Sequence, residues 1–310
     1  MKTRILKWFL FLLTVSLFLF FGIVWYFSGV IVAFKTKSHN EIKERNKVSG
    51  PSQFGLPENP EDIEIPAGEL KLSGWFFKNP RKNKKCGVVI AHGHANNRYG
   101  VLKYSPAFWK RGCDLLFFDH RHHGISPGEF GTYGYHERKD VLSAVEVLRQ
   151  KTGLEESRIG IFGESYGAST SLLAACLNDR LAFVGADSPY MDLETIVTEK
   201  AEAQYGKMLL PILPPTFWVA GKRADFDPYE VNVKEAVKNL HIPVFISHSA
   251  QDKYTVSRHS ELIYQNISYD KKMLHITNWG AEHARSMDVN PKEYEKHLDE
   301  FIEKYVPAFK

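Results

Sequence analysis

The stretch Arg158-Ile159-Gly160-Ile161-Phe162-Gly163-Glu164-Ser165-Tyr166-Gly167, running on into the apolar segment Ala168 to Leu177, decides the fold. It reads as a short buried strand, a tight turn carrying a serine, and a helix. A serine raised on so tight a turn needs glycine two positions to either side. Side chains at 163 and 167 would strike the neighbouring strand and helix. By composition alone, Gly-x-Ser-x-Gly arises in roughly one chain in ten of this length. The rest of the chain must therefore supply the serine's partners.

The chain has 310 residues, 44% hydrophobic and 13% aromatic, enough for one large core. Its formal charge is +4, but Lys2, Arg4 and Lys7 contribute +3 of that before any acid appears. The remainder is nearly neutral and lacks the basic footprint of a nucleic-acid binder. Cys86, Cys113 and Cys176 are odd in number, far apart and without metal spacing. They are expected to be buried free thiols and to say little about the compartment.

From Trp8 to Phe34 no charged residue occurs. As a helix this segment is about 40 Å long, against a hydrocarbon core of about 30 Å. Trp8, Trp25 and Tyr26 stand where interfacial aromatics belong. A cleaved signal peptide fits less well, because its apolar region runs to about 15 residues and no small-x-small site follows. Residues 8–34 are thus expected to be an uncleaved single-pass anchor within an N-terminal segment 1–34. Basic residues flank both ends, so the positive-inside rule does not fix the orientation. An extracytoplasmic domain is the favoured placement.

Residues 35–58 read as a polar tether, and 59–310 as the main domain. Glu61 to Pro66 and Glu69 to Phe77 alternate around Ala67-Gly68, a hairpin signal. Continuous apolar runs follow at Cys86 to Ala91 and Asp114 to Phe118, as for buried strands. Residues 101–111 and 136–151 read as helices. After a strand at Ala182 to Ala186, the strand–helix alternation breaks at about 190–232. This insertion is rich in Leu, Pro, Phe and Trp, and is expected to be a cap over the substrate. Strands resume at Pro243 to Ser247 and Lys272 to Thr277, with a helix near 256–266 between them. Asn290-Pro291 and Glu293 cap a last helix. Alternating strands and helices imply an α/β fold, with a mostly parallel sheet covered by helices on both faces.

Serine attacks only when a base takes its proton and an acid orients that base. Asp252, in Ser247-His248-Ser249-Ala250-Gln251-Asp252, lies just past one strand. His283, in Gly280-Ala281-Glu282-His283, lies just past the last. In a parallel sheet both loops open at the same carboxyl edge as the Ser165 turn. Asp187, in Ala186-Asp187-Ser188-Pro189, is a rival acid. The Tyr166 amide and an amide of the His92-Gly93-His94-Ala95-Asn96-Asn97 loop, taken as that of His94, are expected to hold the oxyanion.

At these residues the chain resembles the α/β-hydrolase superfamily, nearest to its membrane-anchored serine-aminopeptidase-like or esterase-like branch. The resemblance covers about residues 60–308. It rests on the 92–97 loop, on Asp119 through Ser126, on Gly163 through Gly167, on Asp252 and on His283. It implies an eight-stranded sheet with a small cap. One departure stands out. The family's Asp-x-Arg-Gly-His-Gly segment here reads Asp119-His120-Arg121-His122-His123-Gly124, with histidine at the first glycine, so that turn is expected to differ. His92 and His123 fill loop positions of the family, while His94, His120 and His122 are expected on a polar rim. Arg121 is expected to meet a carboxylate.

The expected function is a membrane-anchored serine hydrolase of carboxylic esters, forming an acyl-enzyme and using no cofactor or metal. The apolar cap points to a hydrophobic acyl or aryl substrate. A serine peptidase acting on short peptides, or a thioesterase, would use the same machinery. A non-catalytic membrane scaffold on a relic fold is the reading from another class. The expected partners are a small ester or peptide and, through the N-terminal helix, a lipid bilayer, with no nucleic acid.

Overall fold

A computed structural model describes residues 2–81 and 86–310. Its eight strands are β1 (Glu61–Ala67), β2 (Leu70–Phe77), β3 (Gly87–Ala91), β4 (Asp114–Phe118), β5 (Ile159–Glu164), β6 (Phe183–Asp187), β7 (Val244–Ser249) and β8 (Lys272–Thr277). They form one sheet in the order β1-β2-β4-β3-β5-β6-β7-β8. The β1–β2 hairpin turns at Gly68, whose φ is +69°, and β2 lies antiparallel to β4. Every pairing from β4 to β8 is parallel.

The helices among the described residues are α1 (Lys2–Val32), α2 (His39–Asn46), α3 (Ser105–Trp109), α4 (Glu137–Thr152), α5 (Tyr166–Ala175), α6 (Leu193–Tyr205), α7 (Leu213–Ala224), α8 (Val233–Ala236), α9 (Arg258–Asn266), α10 (Ser286–Val289) and α11 (Pro291–Tyr305). Successive strand residues point to opposite faces, and both faces are buried. Val89, Leu116, Ile161, Val184 and Ile246 pack with α4, α5 and α9. Val88, Leu115, Phe162, Phe183 and Phe245 pack with α3 and α11. The second face is fitted strand to strand. Gly160 opposes Phe183 and Phe162 opposes Gly185, and a Cβ on either glycine would fall inside the facing ring.

Three expectations need correction. Cys86 and Cys113 are not free thiols but a disulfide, with Cα atoms 4.6 Å apart. Gly87 and Asp114 are partners in the β3–β4 ladder, so the residues just before them lie side by side. An odd cysteine count concealed the pair. Cys176 keeps its thiol, pushed up to about 12 by burial. The helix expected over 101–111 begins as a 3₁₀ turn at Arg98–Tyr104 and becomes α-helical only at Ser105, ahead of Pro106. His120 is not on a polar rim, as taken up below.

Within 35–58, Ser38 caps α2 in a capping box with Glu41. Ile42, Val48 and Leu56 are buried. Asn97 Nδ2 donates to the Lys37 and Ser38 carbonyls at 3.2 and 3.1 Å. The segment therefore lies on the domain surface and brings Arg45 and Asn46 to the carboxyl edge of the sheet.

Candidate active site

Ser165 joins β5 to α5 at φ 53°, ψ −111°, a conformation that a non-glycine residue holds only under restraint. Its amide donates to the Asp187 carbonyl at 2.7 Å. A Cβ on Gly163 would overlap the Gly167 carbonyl, and one on Gly167 would overlap the Ala91 carbonyl of β3. The two glycines thus let the turn close on itself and against the neighbouring strand. Ala95, His122, Tyr133, Ser188 and Ala284 also have positive φ. Backbone strain gathers around this one edge, as it does at functional sites.

Ser165 Oγ lies 2.8 Å from His283 Nε2. His283 Nδ1 lies 2.6 Å from Asp252 Oδ2. Asp252 Oδ1 accepts from the Tyr254 and Thr255 amides at 2.8 and 2.9 Å. Burial works to raise the Asp252 carboxyl, but hydrogen bonds from His248 and His283 outweigh it and hold the group well below the usual carboxylate range. The rival Asp187 instead accepts from Tyr104 Oη at 2.8 Å and from Ser188 Oγ at 2.9 Å. The structure brings Ser165, His283 and Asp252 together and leaves Asp187 beneath the elbow.

Tyr166 is the first residue of α5, so no carbonyl one turn back in that helix can accept from its amide. Tyr166 and His94 both line the cavity at Ser165. The His94 ring stacks on Tyr133 at 5.5 Å and touches Phe34 at 3.9 Å. Loss of water in this aromatic box pulls His94 down to about 3. Tyr166 Oη accepts from the Tyr133 amide at 3.2 Å.

The remaining histidines lace the two loops together. His92 Nδ1 donates to the Gly93 carbonyl at 2.8 Å, and its Nε2 accepts from the His120 amide at 3.0 Å. His123 Nδ1 donates to the Arg121 carbonyl at 2.8 Å, and its Nε2 accepts from the Ala95 amide at 3.2 Å. Burial holds His92 well below its usual value and His123 down at about 4, so both stay neutral. His120, expected on a rim, is fully buried. It packs edge-on to His92, Phe118 and Tyr166, because the neutral ring fills a space that solvent does not reach. His122 holds φ 66°, the left-handed conformation that favours glycine. The turn expected to differ thus keeps a glycine-type backbone, and the histidine ring is free to hydrogen-bond the Phe34 carbonyl at 2.8 Å. Arg121 meets Asp140 through two bonds of 2.7 Å.

Sequence reasoning missed two parts of the site. His248 Nε2 reaches Asp252 Oδ2 at 3.1 Å and the Thr255 carbonyl at 2.6 Å. Its spacing of four before Asp252 was the available signal. Lys103, nearly buried, pairs with Glu164 at 2.8 Å and donates to the Ala284 carbonyl at 2.6 Å.

Above Ser165 stand α6 and α7, and beside them the end of α1. Val24, Ser28, Ile31, Val32 and Phe34 are buried against the domain. The Val32 carbonyl accepts from the Gly131 amide at 2.8 Å. Arg223 of α7 donates to Ser28 Oγ at 2.8 Å. Upstream, Thr3–Val32 is long and apolar enough to cross a membrane.

Residues 130–308 match the prolyl oligopeptidase family, and residues 32–205 match the X-Pro dipeptidyl-peptidase (S15) family. The chain is 31% identical over 289 residues to the uncharacterized protein YqkD of Bacillus subtilis, spanning 91% of this chain and 92% of that one. It is 23% identical over 265 residues to the uncharacterized protein YfhR of Escherichia coli, spanning 83% and 84%. Among solved structures it is similar to the Pyrococcus furiosus esterase Pf2001, with a TM-score of 0.66 and 23% identity over 83% of this chain and 95% of that one. It is also similar to the Pyrococcus horikoshii acylaminoacyl peptidase, with a TM-score of 0.63 and 18% identity over 80% and 42%. These structural likenesses bear on the fold.

Proposed function

This chain belongs to the prolyl oligopeptidase family of the α/β-hydrolase superfamily, and from that premise we propose that it is a membrane-anchored serine hydrolase that cleaves carboxylic esters with Ser165, His283 and Asp252. The observation that carries the reading is the hydrogen-bonded chain from Ser165 Oγ through His283 to Asp252, at 2.8 and 2.6 Å. His283 Nε2 takes the hydroxyl proton as Ser165 attacks the acyl carbon. Asp252 accepts from Nδ1–H, fixes the tautomer and stabilises the imidazolium. The Tyr166 and His94 amides receive the oxyanion, helped by the positive end of α5. His283 then hands its proton to the leaving oxygen, and water attacks the acyl-enzyme by the same route in reverse. The relic reading loses weight against a complete hydrogen-bonded chain.

The ester preference rests on the largely apolar cavity beside Ser165, lined by Phe27, Val30, Ile31, Ile196 and Leu213. A peptidase reading is favoured by one observation, the match to two peptidase families. The anchor reading is supported by the way α1 ends. Cleavage after it would strip Val24, Ile31 and Val32 from the packed domain. The Cys86–Cys113 disulfide supports an extracytoplasmic domain, since such bonds persist in oxidising compartments.

The test is labelling of the full chain by a fluorophosphonate, followed by competition with ester, thioester and peptide substrates. Labelling is expected in the wild type, absent in Ser165→Ala, and competed best by esters. Folded wild-type protein that takes no label would sink the hydrolase mechanism, and competition by peptides alone would move the assignment to peptidase.

A further inference from the structure

Two cavities meet at Ser165, and they differ in character. The first, about 250 Å³, is walled by Phe27, Val30 and Ile31 of α1, by Ile196 and Ala201 of α6, and by Leu213 of α7. Among the described residues its one ammonium is that of Lys200, which sits over the Tyr254 ring at 3.4 Å and donates to the Tyr254 carbonyl. The second, about 370 Å³, is lined by Arg45, Asn46, Lys103, Glu164, His283 and Arg285.

Resting on the ester-hydrolase reading above, we propose that the substrate is an acyl ester of a membrane lipid with an anionic head group, whose chain reaches Ser165 along α1 directly from the bilayer. The first argument is the geometry of α1. Every residue from Thr3 to Ile23 is exposed, a length of about 30 Å that matches the hydrocarbon core. Burial begins at Val24, beside the interfacial pair Trp25 and Tyr26. Phe27 and Ile31 then lie only about 3 to 9 Å further along the helix axis. The cavity wall is thus a continuation of the membrane helix. The Phe27 ring meets Tyr205 of α6 at 5.3 Å. Three residues past Tyr205, Met208 is 91% exposed, an apolar tip suited to lipid rather than water.

The second argument assigns the two ends of the substrate. The leaving oxygen must receive its proton from His283. His283 lines the second cavity and is not among the residues lining the first. The alcohol therefore leaves through the second cavity, and the acyl chain occupies the first. Charge in the second cavity selects the head group. Lys103 is matched by Glu164 and Asp288, and Arg285 shares Asp288. Among the described residues Arg45 donates only to Asn46 Oδ1, at 3.3 Å. Arg45 is an exposed residue whose guanidinium stands near the like charge of Arg285, and an anionic head group in the cleft offsets that repulsion. In the reaction, Ser165 Oγ bonds to the acyl carbon and the bond from that carbon to the lipid alcohol oxygen breaks. The alcohol carries off the proton from His283, and water releases the fatty acid.

The experiment uses the full chain in phosphatidylcholine vesicles. The probes are palmitoyl and butyryl lysophosphatidylglycerol, palmitoyl lysophosphatidylcholine, and soluble p-nitrophenyl acetate. Palmitoyl lysophosphatidylglycerol is expected to turn over at least about tenfold faster than each of the other two lipids. Val30→Trp fills the α1 wall and should lower the palmitoyl-to-butyryl rate ratio about tenfold. Ile196→Trp fills the opposite wall and carries the same test if the first variant takes no fluorophosphonate and so has not folded. Arg45→Gln should bring the two palmitoyl lipids to equal rates. Hydrolysis of p-nitrophenyl acetate with no lipid turnover, or chain-length ratios unmoved in both tryptophan variants, overturns the lipid proposal and leaves the ester reading standing. Wild-type protein inert to p-nitrophenyl acetate as well overturns both.

Discussion

The Lys103 ammonium lies 2.8 Å from the carboxylate of Glu164, the residue immediately before Ser165. The same ammonium donates to the carbonyl of Ala284, the residue immediately after His283. One nearly buried cation thus ties the elbow to the loop of the base. Desolvation works to lower Lys103, but Glu164 and Asp288 keep it above its usual value. Lys103→Met leaves a buried carboxylate and a carbonyl unmatched, and should lower stability by about 3 kcal/mol in urea unfolding. Adding Glu164→Gln should restore much of that loss. As a positioning residue, Lys103 should also lower kcat more than it raises KM. A variant within about 0.5 kcal/mol of wild type would show that the tie holds nothing.

Asp252 touches His283 and nothing that reacts, so its removal separates orientation from nucleophilicity. In Asp252→Asn the amide Oδ can still accept from the Thr255 amide, but His283 loses the partner that fixes its tautomer. Single-turnover hydrolysis of an activated ester should slow about 10⁴-fold, close to the loss in Ser165→Ala. His248→Ala removes only a neighbour of Asp252, and a drop of about tenfold is expected. A larger loss in His248→Ala than in Asp252→Asn would reverse these roles.

That Ser165, Asp252 and His283 would come together was legible because each lies in a loop that follows a strand, and in a parallel sheet such loops share one edge. Gly163 and Gly167 were legible for the same steric reason that the structure now displays. Other features leave no local trace. The Lys103–Glu164 pair joins residues 61 positions apart in the chain, with no periodicity that marks it. His120 sits in a loop rich in polar residues, yet it is buried because a neutral ring packs well against other rings. Hydropathy treats the two ends of α1 alike, since lipid and a protein groove both accept Phe, Val and Ile. It therefore could not show that the helix turns from exposed to packed at Val24. The polar sequence of α2 hides a segment pinned by one buried isoleucine and by backbone bonds to Asn97.

Acid should weaken the fold in two stages. His94 and His123 are held down at about 3 and about 4 by burial, below an unfolded value of about 6.5. The unfolded chain therefore binds more protons as pH falls through 6.5, and their stabilisation drains between about pH 6.5 and 4. Asp119 follows. Burial would raise it, but hydrogen bonds from His39 and the charge of Arg98 hold it well below the usual range. Its contribution is complete above about pH 4 and lost below. Urea unfolding should thus show a decline of up to about 7 kcal/mol from pH 7 to 4, about half from each ring, continuing further down as Asp119 is protonated. His123→Asn keeps an acceptor for the Ala95 amide and should flatten the upper stage. A stability that stays level from pH 7 to 4 would mean that these rings are not kept neutral by the fold.

The Cys86–Cys113 bridge closes a loop with a sequence separation of 27 at the amino ends of β3 and β4. Tying that loop restricts the unfolded chain, which for this length stabilises the fold by about 3 kcal/mol. The bridge lies at the opposite end of those strands from Ser165, so its loss should act on stability and not on the reacting groups. Cys86→Ala with Cys113→Ala should lose about that much stability in urea, with a steeper denaturant slope because the freed unfolded chain exposes more surface, and with kcat within about twofold of wild type. Thiol counting sharpens the test, because the third cysteine is set apart. Cys176 is pushed up to about 12 by burial, so it exists almost wholly as thiol and should resist alkylation until the protein unfolds. Native wild-type protein should therefore take up almost no iodoacetamide, unfolded protein one equivalent, and unfolded reduced protein three. Three equivalents in the unreduced, unfolded protein would show that Cys86 and Cys113 lie side by side without being joined.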